Sequence, residues 1–358
     1  MKRILITGGC GFIGSNLAME LASQGYAVTV LDNLSRRGSE ILLNKVLSCG
    51  IKFVHGDVRN PEDLAKLKEE YALLIESSAE ASVLTGAEGR DARYLLNVNL
   101  QGSINCFELA RERCMPVIFL SSSRVYPYSR INTCRFKETD TRFDFVEGCE
   151  GVTPDGVRVD MPLSGARSLY GTTKLCSELI LQEYSSQYGL PVIINRCGVI
   201  AGPGQLGKID QGVFTFWLAN HYFKNPLRYI GFGGKGKQVR DLLHVKDLAD
   251  LVVKQARYLI GAGPAACPNE IFNVGGSVFS NLSLLEATEI CAELTGNRIK
   301  IENVSENRPA DIIWYITDNG RTEQIFEWKP QKSAVDILQD TLRWLKENEP
   351  DFKKVFLR

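Results

Sequence analysis

The chain carries no excess of either charge, no CxxC pair, three histidines and no apolar run long enough to cross a bilayer. Each shortage removes a class of function. Lys plus Arg and Asp plus Glu number 42 each, so the bulk positive charge of a nucleic-acid binder is missing and no nucleic-acid partner is expected. The ten cysteines, at 10, 49, 106, 114, 134, 149, 176, 197, 267 and 291, do not form a zinc knuckle or a dithiol redox motif. They read as free thiols, several within apolar stretches where cysteine behaves as a small hydrophobe. His55, His221 and His244 lie far apart without partners at ligand spacing, so no metal site is expected. MKRILITGG enters the first strand with no signal-peptide core or cleavage site, and with no membrane partner in view the expected address is the cytoplasm.

What is present is ample apolar content, 44% of 358 residues, enough for one large or two modest domains with a buried site for a small molecule. The first half alternates β-branched runs with helical periods: KRILIT, FIGSNLAMELASQG, AVTVLD, a helix near Arg59–Tyr71, LLIESS, NVNLQGSINCFELARER and PVIFLSSS. After the helix around Tyr170 comes PVIINRCG. This order predicts an α/β fold, a Rossmann-like doubly wound parallel sheet with helices on both faces. From about Arg196 the pattern loosens, with helices expected at Ala249–Ile260, Leu282–Thr295 and Ser333–Glu347. The expected division is a cofactor domain over 1–195, with a return segment near 236–252, and a smaller mixed α/β substrate domain over 196–235 and 253–358. Residues 127–169 show no strong helical period. A structureless stretch of that length is uncommon in a compact domain; it is either a tolerated surface insertion or a lid or specificity loop, the second favoured because it ends on Tyr170.

Gly8, Gly11 and Gly14 form GxxGxxG between the first strand and a helix starting near Phe12. Glycine permits the tight turn and the approach of backbone to a pyrophosphate, whose charge meets the helix N-terminus at Phe12, Ile13 and Gly14. Asp32 closes AVTVLD, 18 residues past Gly14, where a carboxylate accepts from the adenosine ribose hydroxyls and repels a 2′-phosphate; Asn33 follows it. The expected cofactor is NAD. Arg36 and Arg37 fit either a 2′-phosphate or a solvated loop. Asp57 and Val58 fall where the adenine edge would lie, or where a helix N-cap would. Asn99 suits a water in a proton relay or a purely structural bond.

Tyr170 and Lys174 in LYGTTK are four apart and share a helix face, so the ammonium can lie beside the phenol and favour the phenolate, a usable base. YxxxK also arises by chance in chains of this length. The glycine loop, Asp32 and the serines of SSS shortly before Tyr126 give it context.

With these motifs in this order, the chain resembles the extended short-chain dehydrogenase/reductase family of nucleotide-sugar epimerases and dehydratases, over nearly its whole length. In the C-terminal half, DQGVFTFW (Asp210–Trp217), GKQVRDLLHVKD (Gly236–Asp247), FNVGGSVFSNLSLLE and WKPQKSA look like the CDP-paratose 2-epimerases, also called CDP-tyvelose epimerases. The resemblance implies a nucleotide-sugar substrate, Tyr170 as base, Ser122 orienting the reacting hydroxyl and Lys174 on the cofactor ribose. It places Ser123, Arg124, Gln211, Arg240 and Arg308 among the substrate contacts, the last two on the diphosphate, where arginine meets phosphate bidentately; either could instead be a surface ion pair. It also implies a homodimer or higher homo-oligomer through NVNLQGSINCFELARER and the Tyr170 helix. Two departures stand out. IESSAEAS (Ile75–Ser82) replaces the usual His-x-Ala-Ala run, and Val199 replaces an asparagine that often touches substrate phosphate. The expected activity is C2 epimerisation of a CDP-linked dideoxyhexose. The other readings are a UDP- or GDP-sugar 4-epimerase, a 4,6-dehydratase, which would need an acid and a base where Ser123 and Arg124 stand, and a dinucleotide-sensing regulator without catalysis.

Overall fold

RILIT is apolar and branched enough to form a buried strand, β1 (Arg3–Thr7), and the glycines after it let the chain turn directly into helix α1 (Phe12–Ser23). This computed structural model describes residues 1–86, 91–207, 211–262 and 270–356. The order continues β2 (Ala27–Asp32), α2 (Ser39–Ser48), β3 (Lys52–His55), α3 (Pro61–Leu64), β4 (Leu73–Glu76), α4 (Ala92–Leu96), α5 (Gly102–Glu112) and β5 (Val117–Ser122). Next come α6 (Tyr128–Ile131), β6 (Arg135–Glu138), β7 (Phe143–Glu147), β8 (Val152–Thr153), β9 (Gly156–Val157), α7 (Leu169–Tyr188), β10 (Val192–Cys197), β11 (Val199–Ala201), α8 (Val213–Phe223), β12 (Leu227–Ile230) and β13 (Val239–His244). The chain ends through α9 (Val245–Ala262), β14 (Glu270–Val274), β15 (Asn281–Ser283), α10 (Leu284–Thr295), β16 (Ile301–Val304), β17 (Trp314–Tyr315), α11 (Gly320–Phe326), α12 (Ala334–Glu347) and α13 (Glu349–Phe356).

The chain divides into two units. Unit 1 comprises Met1–Ser122, Leu169–Arg196 and Leu248–Phe272. Its frame is a seven-stranded sheet in the order β14-β10-β5-β4-β1-β2-β3, with β1 parallel to both β2 and β4. The order reverses between β1 and β4, which makes the carboxyl ends of these two strands the switch point where such sheets bind ligands. Leu5, Leu74, Phe107, Phe119, Val192 and Ile194 are among the buried side chains on one side of the sheet.

Unit 2 comprises Ser123–Ser168, Cys197–Asp247 and Asn273–Arg358. Its largest sheet runs β11-β13-β15, with β17 also paired to β13. Helices α8, α10 and α12 supply Phe214, Trp217, Leu218, Cys291, Ile337 and Leu338 to its core. Both α10 and α12 start with capping boxes, Ser283 with Glu286 and Ser333 with Asp336, which satisfy the orphan amides of the first turn.

Four expectations change. The helix near Arg59–Tyr71 is only α3, Pro61–Leu64. Residues 127–169 hold α6 and two short hairpins, β6–β7 and β8–β9. Of these, 127–168 belong by contact to unit 2, and the last segment returning to unit 1 is Leu248–Phe272, later than 236–252. Finally, Cys134 and Cys149 form a disulfide, so these two are not free thiols.

The insert is held by distant partners. Arg142 makes a two-pronged contact to Glu286, at 2.9 Å from Nε and 2.7 Å from Nη2, while Phe136 and Phe145 pack on Trp314. Asn132 donates to Asp311 O and accepts from Ile313 N. None of these contacts is periodic, so no local pattern announces them. No helix among the described residues is long and apolar enough to cross a membrane.

Candidate active site

The glycine loop sits at the end of β1. Gly8 has φ +67°, and a Cβ there would come 2.7 Å from Ser78 Cα; one at Gly14 would run into Gly8 O. Gly11 occupies the N-cap of α1 without a side-chain cap, and the first turn has no acidic residue. The amides of Phe12, Ile13 and Gly14 are therefore left to be met from outside the helix, as an anion would do. Asp32, at the end of β2, accepts from Cys10 N at 2.9 Å through Oδ2 and from Leu34 N at 2.8 Å through Oδ1. Burial raises its pKa despite these two bonds. Each oxygen retains a lone pair for a further donor.

Asp57, beyond β3, accepts from Asn33 Nδ2 at 2.8 Å and from Arg59 N and Nε at 2.9 Å. The hydrogen bonds from Arg59 hold its carboxyl down at about 2. It is not the N-cap of the next helix, a position taken by Asn60. Val58 is buried and packs where a Cβ on Gly102 would clash. Asn99 lies in a π-helical turn, Asn97–Gln101, between α4 and α5. Its side chain accepts from Glu80 N at 2.8 Å and donates to Glu80 O at 2.9 Å, so it secures the loop after β4, a structural role. It also reaches Thr173 Oγ1 of α7 at 3.4 Å.

Tyr170 and Lys174 stand on consecutive turns at the start of α7, both buried. Lys174 Nζ lies 4.6 Å from the centre of the Phe119 ring and 3.8 Å from Glu76 Oε2. The serines at the end of β5 divide by the alternation of a strand. Ser121 donates to Glu178 Oε1, and Glu178 also takes a two-pronged bond from Arg196, 2.8 Å from Nη2 and 3.1 Å from Nε to Oε2. That commits Ser121 to a buried structural cluster. Ser122, the next residue, is left for the opposite side of β5. Neither Glu178 nor Glu76 is singled out by sequence reasoning; the signal for Glu76 was a carboxylate ending the apolar run LLIE.

In unit 2, Ser123 begins a 3₁₀ turn, Ser123–Val125. Arg124 Nη1 donates to Ala310 O at 3.3 Å. Arg240 donates to Asp311 Oδ1 at 2.9 Å, Ile312 O at 2.5 Å and Val239 O at 2.7 Å. Its pKa falls to about 10, first because it is desolvated. The ion pair is partly buried, with 11% and 17% of the two side chains exposed, and not a surface one. Arg308 and Gln211 are each half-buried, and Asp210, which opens the DQGVF motif, lies outside the described residues. Val199 starts β11, in register with Leu242 of the parallel strand β13.

Residues 4–275 match the NAD dependent epimerase/dehydratase family. The chain belongs to this family. It is 29% identical to the CDP-paratose 2-epimerase of Salmonella typhi, over 96% of this chain and 98% of that protein. It is 27% identical to the UDP-glucuronate 4-epimerase of Thermodesulfobacterium geofontis, over 97% of each. Among solved structures, a double-mutant dTDP-glucose 4,6-dehydratase of Streptomyces venezuelae with NAD bound matches with a TM-score of 0.78 at 26% identity, covering 99% of both chains. The family member described here is an NAD-dependent enzyme. Its loop fits that cofactor: glycines stand where a Cβ would obstruct, the helix start is uncapped, and a carboxylate ends β2.

Proposed function

We propose that the enzyme is a nucleotide-sugar epimerase that oxidises one sugar carbinol to a ketone and reduces it from the opposite face. The observation that carries this reading is the pair Tyr170 and Lys174, buried on successive turns of α7 in the unit that holds the glycine loop. Bound NAD supplies the group that takes up and returns the hydride. Tyr170 takes the proton from the sugar hydroxyl and gives it back, Ser122 orients that hydroxyl, and the Lys174 charge favours the phenolate. Gly8, Gly11, Phe12, Ile13, Gly14 and Asp32 are the proposed cofactor contacts, with Asn33, Asp57 and Val58 toward the adenine. Ser123, Arg124, Gln211, Arg240 and Arg308 are the proposed substrate contacts. Arg240 would share its guanidinium between Asp311 and the diphosphate.

The substrate we favour is CDP-paratose, epimerised at C2 in a cytoplasmic homodimer built on α5 and α7. The 29% identity to a CDP-paratose 2-epimerase supports it, as do the C-terminal motifs. A second reading, a 4-epimerase of UDP-sugars, is favoured by the 27% identity to a UDP-glucuronate 4-epimerase over 97% of the chain. Dehydration is disfavoured because Ser123 and Arg124 occupy the places its acid and base need. Incubation of CDP-paratose with the enzyme in deuterated water should yield CDP-tyvelose without deuterium at C2. Solvent deuterium there would mean carbon deprotonation and end the hydride mechanism. Preferential turnover of UDP-glucose or UDP-glucuronate would leave the mechanism and transfer the substrate to the second reading.

A further inference from the structure

Glu76 is the last residue of β4, opposite Thr7 across the β1–β4 ladder and Phe119 across the β4–β5 ladder. It therefore stands at the switch point of the sheet, within the segment Ile75–Ser82 that departs from the usual His-x-Ala-Ala. It is fully buried. One oxygen, Oε1, is taken by the Ser78 amide at 3.2 Å and by the Ser78 hydroxyl. The other, Oε2, has no hydrogen-bond partner and lies 3.8 Å from Lys174 Nζ. A buried carboxylate with a free oxygen is costly unless a charge answers it, and a lysine with 2% of its side chain exposed is equally costly alone.

Among the described residues that face Glu76 there is no other ion. Facing Glu76 are Lys174 from α7, Ser103 and Cys106 from α5, and Thr7 from β1, with the Phe119 ring of β5 beneath the lysine. Cys106 is held neutral, its pKa raised by burial first and by Glu76 second. Desolvation also raises the pKa of Glu76, with Lys174 opposing. Among these groups the only cation is Lys174.

We infer that Glu76 is the counter-ion that keeps Lys174 protonated in its buried place beside Tyr170, a positioning residue that acts on the base through the lysine. The inference rests on the proposed role of Tyr170 and Lys174. Without a carboxylate, desolvation would drive the lysine toward its neutral form within the working pH range, and a neutral amine gives the phenolate nothing. With it, the lysine stays charged while the phenol titrates. The carboxylate also fixes Nζ on the Glu76 side of the Phe119 ring, limiting where the ammonium can reach.

The test reads the lysine directly. In the full chain labelled with ¹³Cε-lysine, the Lys174 resonance, assigned by its loss in Lys174→Met, is followed from pH 6 to 11. In wild type it should stay at the ammonium position to about pH 10; a midpoint well below this would overturn the inference without any further variant. In Glu76→Gln the midpoint should fall by about one pH unit or more, and Glu76→Asp should restore most of it. A Gln variant that folds, shown by an unchanged melting profile, with the Lys174 midpoint unmoved would also overturn it, since a merely structural glutamate leaves the titration alone. Failure of the epimerase assay with CDP-paratose would strike the proposed function and leave this titration standing, so the two failures are distinguishable.

Discussion

The amide of Cys10 donates to Asp32 Oδ2 at 2.9 Å, which ties the middle of the glycine loop to the end of β2. The residue assigned to the ribose is thus also a support of the loop that would receive the pyrophosphate. Asp32→Ala should weaken NAD binding and relax discrimination against NADP, because the carboxylate accepts ribose hydroxyls and repels phosphate. It should also lower stability by about 1–3 kcal/mol, the cost of leaving buried amides unmet. Calorimetric titration with NAD and NADP and a melting curve check both. An unchanged preference for NAD would remove Asp32 from the ribose.

Tyr170→Phe deletes one hydroxyl from a buried position at the start of α7. Fold and NAD affinity should be nearly intact while turnover falls by roughly 10²–10⁴, the usual worth of a positioned proton-transfer group. Epimerisation near the wild-type rate would end the assignment of the base.

Asp241, on β13, accepts from Ser277 N and Thr317 N, each at 3.1 Å, and burial raises its pKa from 3.8 to about 6. The folded chain therefore keeps a proton that the unfolded chain gives up between these values. The stabilisation is complete below about pH 4 and is lost as pH rises through about 6, a difference on the order of 3 kcal/mol. Asp241→Asn cannot ionise. Its melting temperature relative to wild type should rise between pH 4 and 7, and a parallel pair of profiles would refute the account.

The pairing of Cys134 with Cys149 closes a loop of the insert, at a sequence separation of 15. Alkylation of the unfolded chain without reductant should leave these two unlabelled and modify at least Cys10, Cys49, Cys106, Cys114, Cys176, Cys197 and Cys291. Peptide mass mapping decides it. Cys134→Ser should destabilise the protein by about 3 kcal/mol if the loop-entropy view holds.

How much was legible follows the range of the forces involved. β1, α1, β2 and the start of α7 are written in local pattern, because each is a run of apolar residues at one period flanked by glycine, and Gly8, Asp32, Tyr170 and Lys174 came with them. Strands β6 and β7 were not legible. Their side chains are half-exposed or exposed, and what fixes them is Arg142 on Glu286, 144 residues away, and Phe145 on Trp314. The helix near Arg59–Tyr71 shortened because only one of its apolar positions, Leu64, falls within the helical turns that formed. Glu76 and Glu178 escaped because a carboxylate buried at 0% exposure has no signature in hydropathy; their partners, Lys174 and Arg196, lie 98 and 18 residues further along.

The strand order places β14 beside β10, yet β14 begins at Glu270 and β10 ends at Cys197. During synthesis at 5–20 residues per second, the roughly 70 residues between them take about 4–14 seconds to emerge. Throughout that interval β10, VIINRC, which is buried along its whole length in the finished sheet, is an uncovered rim and a template for pairing with any extended neighbour. The last strand of this sheet to be synthesised is thus the cover for that rim, and the time the rim stays bare grows with the length of the excursion between the two strands.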